Sequence, residues 1–335
     1  MKRLILAIES SCDDSSIALI DKNSLECLFH KKISQELEHT KFGGVVPELA
    51  ARLHTTALPN ILQQCKAHFN ELCAVGVTNE PGLSVSLLGG ITMAKTLCAS
   101  LNVPLIAVNH LLGHIYSLFL TQKARTDMGV LLVSGGHTML INIDKKGFLN
   151  LIASTNDDSF GESFDKVAKM LGLGYPGGLV LEKLAQKAEL KNLNFPVPLK
   201  KNKSLEFSFS GLKNAVRLEI SKHLRLDEAQ KSEIAFAFEE ASTAHLIDKT
   251  ELAFKQFKFK HFGVVGGASA NLKLRSKLKA LCSHYECELL LAPLEFCADN
   301  ALMIARAACE LYERGEFVGI DENILNPKNK NLFRL

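Results

Sequence analysis

No two of the nine cysteines are spaced as Cys-x-x-Cys, and their odd number leaves no complete disulfide framework. That argues against a paired-cysteine redox motif and for reduced thiols, mostly buried as small apolar side chains. Nor does either charge dominate, with 39 Lys and Arg against 36 Asp and Glu. A formal net charge of +3 does not by itself mark a nucleic-acid binder, because the electrostatic footprint depends on clustering. No uninterrupted apolar run reaches the roughly 18 residues that span a bilayer, and the apolar opening Met1–Ile8 turns polar at Glu9 before a signal-peptide core forms. The expectation is a cytoplasmic protein with no membrane partner. Standard nucleotide and protease loops are missing where they would be needed. There is no Gly-x-x-x-x-Gly-Lys-Ser/Thr phosphate loop, neither Gly135-Gly136 nor Gly266-Gly267 lies in a Gly-x-Gly-x-x-Gly turn, and Leu111 follows His110 where a zincin protease needs a glutamate base.

What is present is a chain of 335 residues, 47% hydrophobic, long enough to bury a large core and to divide in two. Apolar stretches Leu4–Ile8 and Ile17–Ile20 flank the polar turn Glu9-Ser-Ser-Cys-Asp-Asp-Ser-Ser16, a strand, turn, strand pattern. Val130–Val133, Ser134-Gly-Gly-His-Thr138 and Met139–Ile143 repeat it, which predicts a duplicated lobe whose hairpins face one another across a cleft. The expected lobes are residues 1–122 with 296–335, and residues 123–295. Helices are expected over 47–69, 92–100, 163–171, 179–190, 211–224 and 228–257, with short buried strands at 74–78, 105–108 and 262–265. The fold class is α/β with an inserted helical layer. Two basic segments, Phe195–Ser204 and Asn326–Leu335, are candidate RNA contacts, although short charge runs are usually solvated loops.

The residues suited to chemistry fall in separated segments. His110 and His114, at i and i+4, share one helix face, as two ligands of a Zn(II) or Fe(II) site require. Asp299 precedes the apolar helix 301–309, so its ordinary role is an N-cap, with a second oxygen free for a metal. Gly135-Gly136 and Gly266-Gly267 each follow an apolar strand, where backbone N–H groups can approach an anion. Glu9, Asp13 and Asp14 occupy the first hairpin turn, and Asp157, Asp158, Glu162 and Asp165 precede a helix; these clusters could supply a base or a ligand for a hydroxylated substrate.

Together these segments resemble the bacterial tRNA adenosine threonylcarbamoyltransferases, formerly called O-sialoglycoprotein endopeptidases. The resemblance rests on Ile8–Asp13, Gly43–Ala50, Asn109–His114, Val133–Thr138, Gly161–Lys166, Tyr175–Gly178, Phe207–Lys213, Gly266–Asn271 and Asp299-Asn300, in that order along nearly the whole chain. It implies an actin-like, sugar-kinase type fold with two ribonuclease-H-like lobes around a nucleotide and metal cleft. It implies transfer of threonylcarbamoyl from threonylcarbamoyl-AMP to the exocyclic amine of the adenosine beside the anticodon, in tRNAs reading codons that begin with A. By the same resemblance His110, His114 and Asp299 match metal ligands, the metal being Fe(II) or else Zn(II). Leu132, Val133, Ser134, Gly135, Gly136 and His137, with Asp165, Gly178 and Asn271, match positions that contact the adenylate. Implied partners are an inactive paralogue of the same fold and a small P-loop ATPase. Glu80, where the family usually has glycine, and Leu179, where it has proline, depart from the pattern and bear on local loop shape.

The residues support a mechanism in which a metal acts as Lewis acid and template, N–H groups around Ser134–Gly136 stabilise the departing AMP, and Asp13 serves as base. The competing readings are an actin-fold ATPase or sugar kinase, which needs no His-His-Asp metal, and a non-catalytic scaffold. A metalloprotease is the weakest, because of Leu111.

Overall fold

In the computed structural model, residues 3–328 are described. The strands are β1 Leu4–Glu9, β2 Asp14–Asp21, β3 Cys27–Ser34, β4 Leu72–Glu80, β5 Leu105–Asn109, β6 Met128–Val133, β7 Thr138–Ile143, β8 Leu149–Ser154, β9 His261–Val265 and β10 Glu288–Leu291. The helices are α1 Glu36–Thr40, α2 Pro47–Gln64, α3 Ser84–Leu101, α4 His110–Tyr116, α5 Phe160–Met170, α6 Gly178–Ala185, α7 Ser210–Ile220, α8 Glu228–Phe257, α9 Leu272–His284 and α10 Ala301–Glu313. The chain divides into two compact units, one running to Ala124 and resuming at Ala292, the other Arg125–Leu291.

Each unit is built on a five-stranded sheet. The orders are β3-β2-β1-β4-β5 in the first unit and β8-β7-β6-β9-β10 in the second. In both, an antiparallel hairpin and its third strand continue into parallel strands: β1 pairs β2 antiparallel and β4 parallel, and β6 pairs β7 antiparallel and β9 parallel. The duplication expected from two short hairpins therefore extends to whole sheets. The central strands β1 and β6 are buried along their length, which is why both read as unbroken apolar runs. The second unit carries α5 to α8 between β8 and β9, the inserted helical layer.

Alternation along β1 decides where the chemistry lies. Leu4, Leu6 and Ile8 pack with Leu58, Ile61, Leu87, Ile91 and Ala94 of α2 and α3. The other register belongs to Ile5, Ala7 and Glu9. On that face Gly76, paired with Ala7, admits α10, since a Cβ there would lie 2.9 Å from the Ala308 Cβ. Buried Arg306 of α10 fastens this helix to the segment after α4, its Nε donating to Phe119 O at 2.8 Å and its Nη2 to Gln122 O at 3.1 Å.

Two expectations are revised. The helix expected over 92–100 is α3, extended back to Ser84, and is long and apolar enough to cross a membrane by length and composition alone. Ser, Thr and Lys95 interrupt its sequence, while Leu87, Ile91, Ala94 and Leu97 are packed into the first unit's core. The helix α10 is capped by Asn300, whose side chain accepts from Met303 N at 3.0 Å, and not by Asp299. The ordinary role for Asp299 thus passes to its neighbour. Of the basic segments, buried Lys249 pins 195–204 by donating to Leu199 O (3.0 Å) and Asn202 O (2.6 Å). In the terminal segment Asn326 N donates to Asn79 O at 3.2 Å, and 329–335 lie outside the described residues.

Candidate functional site

In the first unit the parallel strands deliver their carboxyl ends to one place: Glu9 ends β1, Thr78 lies near the end of β4, and β5 ends at Asn109. Asn109 then starts α4 by accepting from Leu111 N (2.9 Å) and Leu112 N (3.2 Å). The cap begins the helix at His110, so His110 and His114 stand one turn apart, with ring centroids separated by 4.6 Å. Asp299, at the entry to α10, brings Oδ1 to 3.4 Å from His110 Nε2 and 3.2 Å from His114 Nε2. One ligand atom from each of the three lies within 4.8 Å of the others, a group that can hold a metal ion. Gly113, between the histidines, permits this convergence: a Cβ there would lie 2.6 Å from Ile304 Cδ1 of α10.

The donor set fits a cation. Both ring nitrogens of His114 are buried without a hydrogen-bond partner among the described residues, although Asp299 Oδ1 is near Nε2. Such orphaned nitrogens cost free energy unless something binds them. His110 differs, because its Nδ1 meets Glu9 Oε2 at 3.1 Å and Ser11 Oγ at 3.2 Å, leaving Nε2 toward Asp299. Burial opposes charge on all these groups. At His110 the carboxylates of Asp299 and Glu9 outweigh it and hold the imidazole protonated well above its ordinary range. The same attraction to His110 overcomes burial at Asp299, kept well below the usual carboxylate range, and at Glu9, kept below it. At His114 burial prevails and the imidazole is pushed down toward its neutral form. A metal bound here must displace the proton of His110.

Asp13 and Asp14 stand half-buried at the first hairpin turn. Burial pushes Asp14 up to about 6 despite Lys32 Nζ at 2.9 Å, and its buried Oδ1 has no hydrogen-bond partner among the described residues. The second acidic cluster is committed elsewhere. Asp157 accepts from Ser208 Oγ and Ser210 Oγ, each at 2.6 Å, Asp158 binds Lys166 and Lys213, Glu162 pairs Lys166 at 2.9 Å, and Asp165 Oδ1 accepts Gly177 N at 2.8 Å. These four carboxylates order the loops before α5, α6 and α7.

The second unit carries the other expected positions. Leu132 and Val133 are fully buried at the end of β6. The next residues close a turn, Ser134 N donating to His137 O at 2.8 Å and His137 N to Ser134 Oγ at 3.1 Å. Gly135 and Gly136 at its tip are exposed with ordinary φ, and a Cβ on either would meet nothing within 4 Å. Packing within the chain therefore gives no reason for glycine at these two positions. Gly266 contrasts, with φ of 93° and a hypothetical Cβ 2.3 Å from Val133 O, so the turn itself requires it. Gly178 opens α6 with open space at its Cβ, and Asn271 caps α9 by accepting Leu274 N at 2.7 Å while donating to Glu239 Oε1 at 2.8 Å. The structure thus gathers the His-His-Asp trio in one unit and places 132–137, Asp165, Gly178 and Asn271 in the other.

Residues 26–306 match the family profile of tRNA N6-adenosine threonylcarbamoyltransferase, TsaD. A tRNA N6-adenosine threonylcarbamoyltransferase of Campylobacter jejuni is 68% identical over 335 residues, covering 100% of both chains. The chain belongs to the TsaD family. It is accordingly a transferase of tRNA modification. Among solved structures, T. kodakarensis HypF is similar with a TM-score of 0.66 at 12% identity, over 94% of this chain and 48% of that one. Component A of the Acidaminococcus fermentans (R)-2-hydroxyglutaryl-CoA dehydratase gives 0.55 at 13% identity, over 94% and 98%. At such identities the likeness concerns the fold, which is the actin-like α/β fold expected from the sequence.

The network behind His110 was not resolved by sequence. The sequence groups Glu9 with Asp13 and Asp14 as a possible base or ligand, whereas its carboxylate is fully buried and bonded to His110, Ser11 N and Thr78 Oγ1. The available signal was the alternation of β1, which puts Glu9 on the inward face with Ile5 and Ala7. Glu80, the departure from the family pattern, accepts from Asn109 Nδ2 at 3.2 Å and so braces the cap of α4. Leu179 is exposed in the first turn of α6.

Proposed function

We propose that His110, His114 and Asp299 hold one divalent metal, Fe(II) before Zn(II), and that residues 132–137 with Asp165, Gly178 and Asn271 bind the adenylate of threonylcarbamoyl-AMP. The acceptor is the N6 amine of the adenosine beside the anticodon in tRNAs reading codons that begin with A. The observation that carries the reading is the convergence of His110, His114 and Asp299, one ligand atom of each within 4.8 Å of the others, with a carboxylate that its neighbour Asn300 has relieved of capping. A bound metal would supply Lewis acidity and a template for substrate oxygens.

The chain's own residues account for the rest. The amine lone pair is delocalised into the adenine ring, so attack needs both an electrophilic carbamoyl carbon and removal of a proton. A carbon–nitrogen bond forms, the bond to the phosphate oxygen breaks, and AMP leaves. The unencumbered glycines 135 and 136 let backbone N–H groups approach that phosphate. Asp13 is the nominated proton acceptor. Asp14 is favoured beside it, because a carboxyl at about 6 is better matched to proton transfer near neutral pH. The working assembly includes an inactive paralogue and a P-loop ATPase, in the cytoplasm with its tRNA.

The test is mass spectrometry of nucleosides from such tRNAs after incubation with threonine, bicarbonate, ATP, this protein and the partner enzymes. Threonylcarbamoyladenosine should form with the wild type and be lost with His110→Ala. No product, in a mixture where another family member works, would favour an ATPase or scaffold.

A further inference from the structure

The carboxylate behind His110 points to a role for Glu9 that the metal ligands alone do not require. Its side chain is fully buried at the end of β1, where an ionised carboxylate is unfavourable unless it is compensated. Oε1 accepts from Ser11 N at 2.6 Å, and Oε2 accepts from Thr78 Oγ1 at 2.5 Å while lying 3.1 Å from His110 Nδ1. As Glu9 can only accept, His110 keeps a proton on Nδ1, so the nitrogen left for a metal is Nε2, on the side where Asp299 Oδ1 lies at 3.4 Å. Ser11 Oγ, 3.2 Å from Nδ1, guards the same edge of the ring. His114 has no equivalent partner among the described residues.

We infer that Glu9 is a positioning residue for the metal site: it fixes the tautomer and ring orientation of His110 and supplies the second negative charge that a divalent cation needs. With neutral imidazoles, Asp299 provides one negative charge and Glu9 the other. Glu9 is not among the groups close enough to ligate, so it acts through His110. The inference rests on the His110, His114 and Asp299 reading proposed above.

The test is Co(II) binding to the full chain, followed by its d–d absorption in competition with a chelator. Wild type, Glu9→Gln, Thr78→Val and, as baseline, His114→Ala are compared, with circular dichroism to confirm folding. Glu9→Gln keeps the shape and removes the charge, and it should weaken Co(II) binding by about 10–100-fold and alter the absorption bands. Thr78→Val, which removes a donor from the same oxygen that faces the imidazole but keeps the charge, should weaken binding less than Glu9→Gln. Equal affinities for wild type and Glu9→Gln would overturn the inference and leave the metal reading standing. Wild type at the His114→Ala baseline would overturn both. If Glu9→Gln does not fold, the wild type still decides. In the Zn(II)-loaded protein, nitrogen-15 NMR should show His110 protonated at Nδ1, identified by its loss in His110→Ala. Metal at Nδ1 would overturn the inference.

Discussion

The two units repeat one sheet, yet their first hairpins end in opposite ways. In the first, the turn after β1 is crowded with side chains: Glu9 is buried, Ser11 bonds it, and Asp14 is held partly buried against Lys32. In the second, the turn after β6 has at its tip two glycines where a Cβ would meet nothing within 4 Å. One scaffold thus offers fixed charge at the strand ends and, in its duplicate, bare backbone. Charge at a turn suits cations and proton transfer, whereas exposed N–H groups suit an anionic ligand. The contrast shows that the sheet supplies positions, while the residues at the turn decide the chemistry.

The sharpest way to break the contrast is to remove a side chain from the crowded unit. Polarisation by a metal is worth several kcal/mol, and each 1.36 kcal/mol is tenfold in rate. His114→Ala should therefore lower tRNA modification by at least about 10²–10³-fold and abolish tight metal retention, read by metal analysis after dialysis. Full retention of metal in that variant would remove His114 from the site.

Much of this was legible in the chain. The pair His110 and His114 announces itself by helical spacing, and both central strands by their apolar runs. Less visible were β3 and β10, whose residues are largely exposed and so carry no apolar alternation. Start and stop signals also compete locally: Asp299 and Asn300 are both good caps, and only the backbone geometry assigns the role to Asn300. The link from Glu9 to His110 joins residues 101 positions apart. No local pattern encodes it, because it depends on β1, β4 and β5 lying side by side.

Buried histidines extend the comparison to pH. His110 is held charged by two carboxylates, but His245 in the second unit lies between the rings of Phe207 and Phe209, with Nε2 accepting Ser208 N at 3.2 Å. Burial, with Lys249 nearby, pushes His245 down to about 4 from 6.5. Between those values the unfolded chain binds more protons than the folded one. The stability contributed by neutral His245 is therefore complete above about pH 6.5 and lost as pH falls toward 4, about 2–3 kcal/mol by pH 4.5. Urea unfolding at pH 7 and 4.5 should show a loss in wild type that shrinks by that amount in His245→Gln. An unchanged pH dependence would mean that His245 is not held neutral.

Glycines separate the units next. Gly113→Ala drives a methyl into Ile304 and should cost about 1–3 kcal/mol by overpacking, lowering Tm by several degrees and loosening α4 against α10. Gly136→Ala meets nothing and should change stability by no more than about 0.5 kcal/mol, while raising KM for the adenylate. Equal Tm losses in the two variants would erase the distinction between a glycine required by packing and one required by a ligand.

A modest effect is expected at Glu80, where this chain departs from its family. Its carboxylate takes one hydrogen from Asn109 Nδ2, while Asn109 Oδ1 independently caps α4 through two backbone N–H groups. Glu80→Gly removes the brace and keeps the cap; the hydrogen bond to Asn109 by itself is worth about 0.5–1.5 kcal/mol. Asn109→Ala removes the cap itself and should cost about 0.5–2 kcal/mol, with a larger loss of metal affinity because His110 is the first residue of that helix. Thermal melts and metal titrations of both variants give the order directly. If Glu80→Gly weakens metal binding as much as Asn109→Ala, the brace and the cap act as one unit, and the glutamate is part of what aims the histidines in this chain.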